Sequence, residues 1–195
     1  MPDDAKISFA NGPFGKMVAS MMESEQTLLG DWKIRKIVEA AEGDDDSFDA
    51  DFWHERLLEV LDKSHVTLFS FVDCPWCLLV KKLLRDEYNL VDSDGGALQI
   101  IELEDLDRDG KKLRAAIALA TGRTSMPACF LGGKSIGGYT DGFALNANDV
   151  DVGEGTSGFT HVPAPGRDLR SVGSPGLAAL HDRGELAVLL LLGDA

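Results

Sequence analysis

Between Val66 and Leu84 the chain passes from a β-branched, aromatic run, Val66-Thr-Leu-Phe-Ser-Phe-Val72, into an apolar-periodic run beginning Cys74-Pro-Trp-Cys77-Leu-Leu-Val. A strand that feeds straight into a helix constrains the fold to a sheet covered by helices, and here it puts two thiols on the junction. The first N–H groups of a helix lack intrahelical partners and carry partial positive charge. A thiolate at Cys74 is therefore favoured, with an expected pKa of roughly 3.5–7.5. Pro75 suits a first-turn position, which needs no backbone N–H and accepts proline's fixed φ. Cys77 lies one turn further in, within reach of a disulfide to Cys74. The natural reading is a dithiol–disulfide exchange centre. Two others stand beside it: half of a zinc site, and a buried structural pair. Zinc needs four soft ligands, and only Cys129, His54, His65, His161 and His181 remain, with no second Cys-x-x-Cys pair.

Composition narrows the class. At 195 residues and 44% hydrophobic content the chain can bury one good core with decorations. Three cysteines do not make a disulfide scaffold, and Met1-Pro-Asp-Asp-Ala-Lys6 has neither the basic start nor the apolar stretch of a secretory signal. An intracellular reducing compartment is expected, the cytoplasm first. The longest apolar run, Leu186 to Leu192, is too short to cross a bilayer and reads as a packed terminal helix. No membrane partner is expected from that run, and the net charge of −14, from 33 acidic and 19 basic residues, argues against a nucleic-acid partner.

Residues 1–47 read as a helical, partly disordered extension. Gly12-Pro-Phe-Gly15 breaks the chain, Met17 to Leu29 has helical spacing, and Asp31 to Ala41 repeats it with Trp32, Ile34, Ile37 and Val38 on one side. It is expected to pack on the main domain; the alternative is a docking segment for another protein. From Ser47 or Asp49, either able to cap, a helix carries Phe52, Leu57, Leu58 and Leu61 inward. Strand 66–72, helix 75–88, strand 98–103, a helix from Asp107, and a hairpin bracketing Gly132-Gly133 follow. Residues 142–173, rich in Gly, Asp, Pro and Ser, read as a loop insertion, a candidate lid or a plain insertion. A last helix opens at Ser174-Pro175, with serine as its cap.

This order of elements and four motifs resemble the glutaredoxins, members of the thioredoxin superfamily, over about residues 50–141 and 174–192. Cys74-Pro-Trp-Cys77 is similar to the family's Cys-Pro-Tyr-Cys. Thr124-Ser-Met-Pro127 resembles its Thr-Val-Pro segment, Gly132-Gly-Lys-Ser-Ile-Gly-Gly138 its Asn-Gly-Lys-x-Ile-Gly-Gly turn, and Leu177 to Leu186 its closing helix. The resemblance implies a thioredoxin-like α/β fold: a small mixed four-stranded sheet flanked by helices, with the N-terminal extension added and residues 48–195 as the main domain.

It also implies an activity. Cys74 would be the nucleophile and Cys77 the resolving thiol of a glutathione-dependent oxidoreductase that reduces protein disulfides and glutathione mixed disulfides. Glutathione would be the reducing cosubstrate, no metal would be needed, and oxidised or glutathionylated proteins would be partners of a monomer. By the same resemblance Pro127 follows a cis bond, the backbone of Met126 pairs with glutathione as an added strand, and Gly138, Thr140 and Asp141 hold its γ-glutamyl end. Pro75 and Trp76 would meet the substrate. Two positions depart from the family: Phe71 stands where a lysine is usual, and the usual arginine position is Thr124, which leaves Arg123 as the nearest substitute. The alternatives are a thioredoxin-like reductase served by a reductase protein, and an iron–sulfur or redox-responsive binding module. Elsewhere, Cys129 is expected in the core, His54 and His65 at the surface, and Lys81 and Lys82 on a solvated helix flank.

Overall fold

A computed structural model describes residues 2–43, 48–143, 163–164 and 166–191. Strand β1 (Val66–Ser70) is the centre of the arrangement, since its five residues are all buried. It pairs in parallel with β2 (Leu98–Glu102) and antiparallel with β3 (Ala128–Leu131), and β3 turns back into β4 (Lys134–Gly137), giving the order β2-β1-β3-β4. The parallel pair needs a crossover, and the helix that begins at the thiols supplies it. Gly132 and Gly133 make the hairpin turn at positive φ, 53° and 75°, where glycine carries no Cβ penalty.

Strand alternation divides the apolar residues between two faces. On one face Phe69 meets Phe130 edge to face, with ring centres 5.6 Å apart. There they join Trp53, Leu57, Leu61, Leu113 and Ile117. On the other, Val66, Leu68, Cys129 and Leu131 pack on Val80, Leu84, Leu177, Leu180 and Leu186. The first layer comes from α3 (Ala50–Leu61) and α5 (Asp107–Thr121), the second from α4 (Pro75–Lys82), α6 (Leu177–Asp182) and α7 (Glu185–Leu191). The helix from Pro75 ends in a π-helical turn over Leu83–Glu87. The result is the mixed four-stranded sheet between helices that the element order predicts.

Asp49 caps α3, accepting hydrogen bonds from the N–H groups of Asp51 and Phe52, both at 3.0 Å. Its inward face differs from expectation: Trp53, His54, Leu57 and Leu61 are buried, while Phe52 is exposed. His54 is therefore not a surface residue, because α3 is covered on more than the one face that its apolar spacing marks. His65 is half-buried, its Nε2 3.0 Å from the Leu189 carbonyl. The closing helix also starts later than predicted. Gly176, at φ 90°, is the N-cap, while Ser174 instead donates its hydroxyl to the Ile136 carbonyl at 2.7 Å.

Two helices precede the sheet, α1 (Asp3–Asn11) and α2 (Pro13–Glu42). The break at Gly12 is as predicted, but α2 runs on through Gly30 where two helices were expected. A mid-helix glycine costs only about 1 kcal/mol, and Gly30 is on the buried side. Gly15, Ala19, Gly30, Ile34 and Ala41 form one buried stripe along α2, mostly small residues that permit close approach. Helix α2 packs on α5, and α1 packs on α4. Most of the loop insertion, residues 144–162, lies outside the described residues. Its downstream part runs beside β4, where Ser135 and Arg170 bridge and Leu169 enters the core.

Candidate active site

Cys74 is the N-cap of α4, in an extended conformation, with Pro75 next in the first turn. Its carbonyl accepts the N–H of Leu78 at 3.0 Å, so the residue is tied to the helix it begins. Its thiol is half-buried and faces the Met126 carbonyl, 3.7 Å away. Cys77 is fully buried one turn on and its sulfur accepts the Phe71 N–H at 3.5 Å. Both cysteines are free thiols.

The two sulfurs are electrostatically unequal. Cys74 is lowered to about 7. The hydrogen bond from Cys77 is the largest cause; the main-chain N–H groups of Cys77 and Trp76 and the charge of Lys81 add to it and together outweigh burial. Cys77 is raised, by giving that hydrogen bond, by burial and by the negative charge beside it. Cys129 is raised to about 12 by burial in β3, which makes it an inert core residue. Lys81 is not a solvated flank residue. It is buried and ion-paired to Glu102 of β2, beneath the thiol helix, whereas Lys82 is exposed.

Across from Cys74 lies the loop after α5. The Met126–Pro127 bond is cis, and Met126 is buried. Arg123 is 2% exposed; its Nε donates to the Pro127 carbonyl at 2.9 Å, and its two terminal nitrogens both donate to the Asp141 carboxylate, one of them at 3.0 Å. Gly138 lies against this pair: a Cβ there would meet Arg123 Nη2 at 2.0 Å and Asp141 Oδ1 at 2.7 Å. At Gly137, φ is 99° and a Cβ would meet the Asp141 carbonyl at 2.3 Å. Both glycines are thus required by close approach. Arg123, Met126, Pro127, Thr140 and Asp141 line one cleft together with Trp76, and Gly138 packs against the Arg123–Asp141 pair. Arg123 and Asp141 spend their charges on each other, and the first amides of α6 donate to the carbonyls of Gly138 and Tyr139. Thr140 is exposed.

Two groups of residues near the thiol carry no local sequence signal. Arg114 of α5 stacks its guanidinium on the Phe71 ring, 5.3 Å from the ring centre, and donates to the Thr124 carbonyl at 3.1 Å. Its Nε is buried without a hydrogen-bond partner. A half-buried cation therefore sits beside Phe71, the position where the cation itself is missing. The other group comes from the extension. Ala19 and Met22 line the same cleft as Trp76, Met126, Pro127 and Thr140. Among the described residues no three His, Cys, Asp or Glu side chains converge as metal ligands, and no helix is long and apolar enough to cross a membrane.

No family model matches the chain. It is similar to curated proteins nonetheless. It is 39% identical over 80 residues to a glutaredoxin of Ricinus communis, covering 41% of this chain and 71% of the relative. It is 38% identical over 88 residues to glutaredoxin-C6 of Oryza sativa subsp. japonica, covering 45% and 71%. Among solved structures, the holo form of glutaredoxin C1 from Populus tremula x tremuloides superposes with a TM-score of 0.50 at 25% identity, over 75% of this chain and 93% of that one.

Proposed function

The chain belongs to the glutaredoxin family, and on that premise we propose that it is a glutathione-dependent thiol–disulfide oxidoreductase acting on glutathionylated and oxidised proteins. The observation that carries this reading is the position of Cys74: a sulfur with pKa about 7 on the N-terminus of α4, facing the main chain of Met126. The thiolate attacks a substrate disulfide in line, forming one S–S bond as the other breaks, and the departing sulfur takes a proton. On a glutathionylated protein, Cys74 takes the glutathione and a second glutathione thiol releases it as glutathione disulfide. On a protein disulfide, Cys77 resolves the intermediate. Once Cys74 is in a mixed disulfide its charge is gone, and with it one cause of the raised Cys77 pKa.

In this reading the Met126 main chain receives the tripeptide as an added strand, and the Arg123–Asp141 pair holds the Gly138–Thr140 turn in place beside it. Arg114, with its unpartnered Nε, is the cation we assign to a carboxylate of glutathione in place of the one lost at Phe71. The deciding experiment is a pair of serine variants assayed with glutathione, glutathione reductase and NADPH. Cys74→Ser abolishes turnover on every substrate. Cys77→Ser keeps turnover on small glutathione mixed disulfides and loses it on protein disulfides. Equal loss of both in Cys77→Ser means that glutathione is not acting as the second thiol.

A further inference from the structure

The N-terminal helices meet the thiol site at three points. The Lys6 ammonium pairs with Asp73, the residue before Cys74. Phe9 sets its ring edge-on to Trp76, with centres 6.4 Å apart. Ala19 and Met22 of α2 line the same cleft as Trp76, Met126, Pro127 and Thr140 and form its α2 wall. The cleft has a volume of about 30 Å³, room for roughly two water molecules. Pockets that enclose small ligands span about 300–1,000 Å³. A cleft of about 30 Å³ does not enclose a tripeptide, and Met22 is one of the side chains that line it.

The helices themselves are anchored by the buried stripe of α2, but the side-chain contacts nearest the thiol lie at the surface. Asp73 is 83% exposed, so its ion pair with Lys6 is screened by salt. Phe9 and Met22 are each more than a third exposed. We propose that α1 and α2 form an occluding cap, with Phe9 and Met22 as the residues that select what reaches Cys74, and that substrate enters only when they are displaced. The proposal rests on the reading of this site as the glutathione site. The cap lowers apparent affinity by the fraction of time it is closed, so it discriminates against any disulfide that cannot displace it.

The test uses the full chain and two variants, Phe9→Ala/Met22→Ala and Lys6→Glu. All three positions keep solvent contact, so neither variant hollows the core. The first readout is the ratio of Cys74 labelling rates by fluorescein maleimide, a bulky reagent, and iodoacetamide, a small one. A change in thiol pKa moves both rates together, whereas an opened cap raises the ratio, by about fivefold. The second is the KM for a glutathionylated peptide, expected to fall by a similar factor with kcat little changed. An unmoved ratio and KM in both variants overturn the cap while leaving glutathione turnover intact. A raised ratio with no glutathione-dependent turnover in parent or variants upholds the cap and overturns the glutathione reading.

Discussion

At the scale of single residues, the chain assigns different chemistry to three cysteines by burial, hydrogen bonding and neighbouring charge. Cys74 lies where main-chain N–H groups and the Cys77 thiol favour its anion, Cys77 is held as the neutral donor, and Cys129 is sealed in the core. The sign of the pH dependence follows. Because the Cys74 pKa is lowered from 9.0 to about 7, its thiolate fraction rises through neutral pH and is nearly complete one unit above. Iodoacetamide labelling followed by peptide mass should give a Cys74 rate that rises from pH 5 to about 8 and then levels, at a pH where free cysteine is still largely protonated. A midpoint at the free-cysteine value would remove the basis of the nucleophile assignment. The N-cap position of Cys74 was legible in the sequence, since it and the proline beside it are local facts, whereas the Cys77 hydrogen bond that most lowers its pKa was not. The fates of Lys81 and His54 were not, because each depends on what a distant strand or helix presents to it.

At the scale of elements, local signals placed the helices and strands well where capping and alternation agree. Asp49 was one of two residues able to open α3, and the hydrogen bonds to the N–H groups of Asp51 and Phe52 decide in its favour. Asp49→Ala should lower stability by about 1 kcal/mol, seen as a shifted urea midpoint at unchanged slope, without altering the Cys74 labelling rate. An unchanged midpoint would mean the cap hydrogen bonds are replaced by water at no cost. Helix α2 went the other way. The glycine that suggests a break faces inward, where a small residue lets the helix lie against its neighbours, and packing outweighs propensity. The closing helix repeats the lesson: Ser174 has the chemistry of a cap, but its hydroxyl is drawn to the Ile136 carbonyl of β4, and the helix begins past it.

At the scale of the whole molecule, a net charge of −14 bears on both stability and encounter. Self-repulsion disfavours the compact state, and its long-range part is screened at physiological salt, whereas close ion pairs such as Lys81–Glu102 are shielded by burial. Raising salt from 10 to 150 mM should lift the thermal midpoint by roughly 2–4 °C in calorimetry; a fall would mean that exposed ion pairs outweigh the repulsion. The same acidity makes the approach of an anionic tripeptide depend on the few cations near the thiols, of which Arg114, stacked on Phe71, is one. The order of strands and helices, the thiol pair at a helix N-terminus and the glycine turn were determined by the sequence alone, because each is written in spacings of two to four residues that act before the chain closes on itself. Only the tertiary structure decided that Arg123 answers Asp141, that Arg114 stands over Phe71, and that Lys6 and Phe9 reach Asp73 and Trp76, the neighbours of the thiol residues, from 67 residues away. Pairings of that kind depend on where the folded backbone brings distant segments, and no local period encodes them.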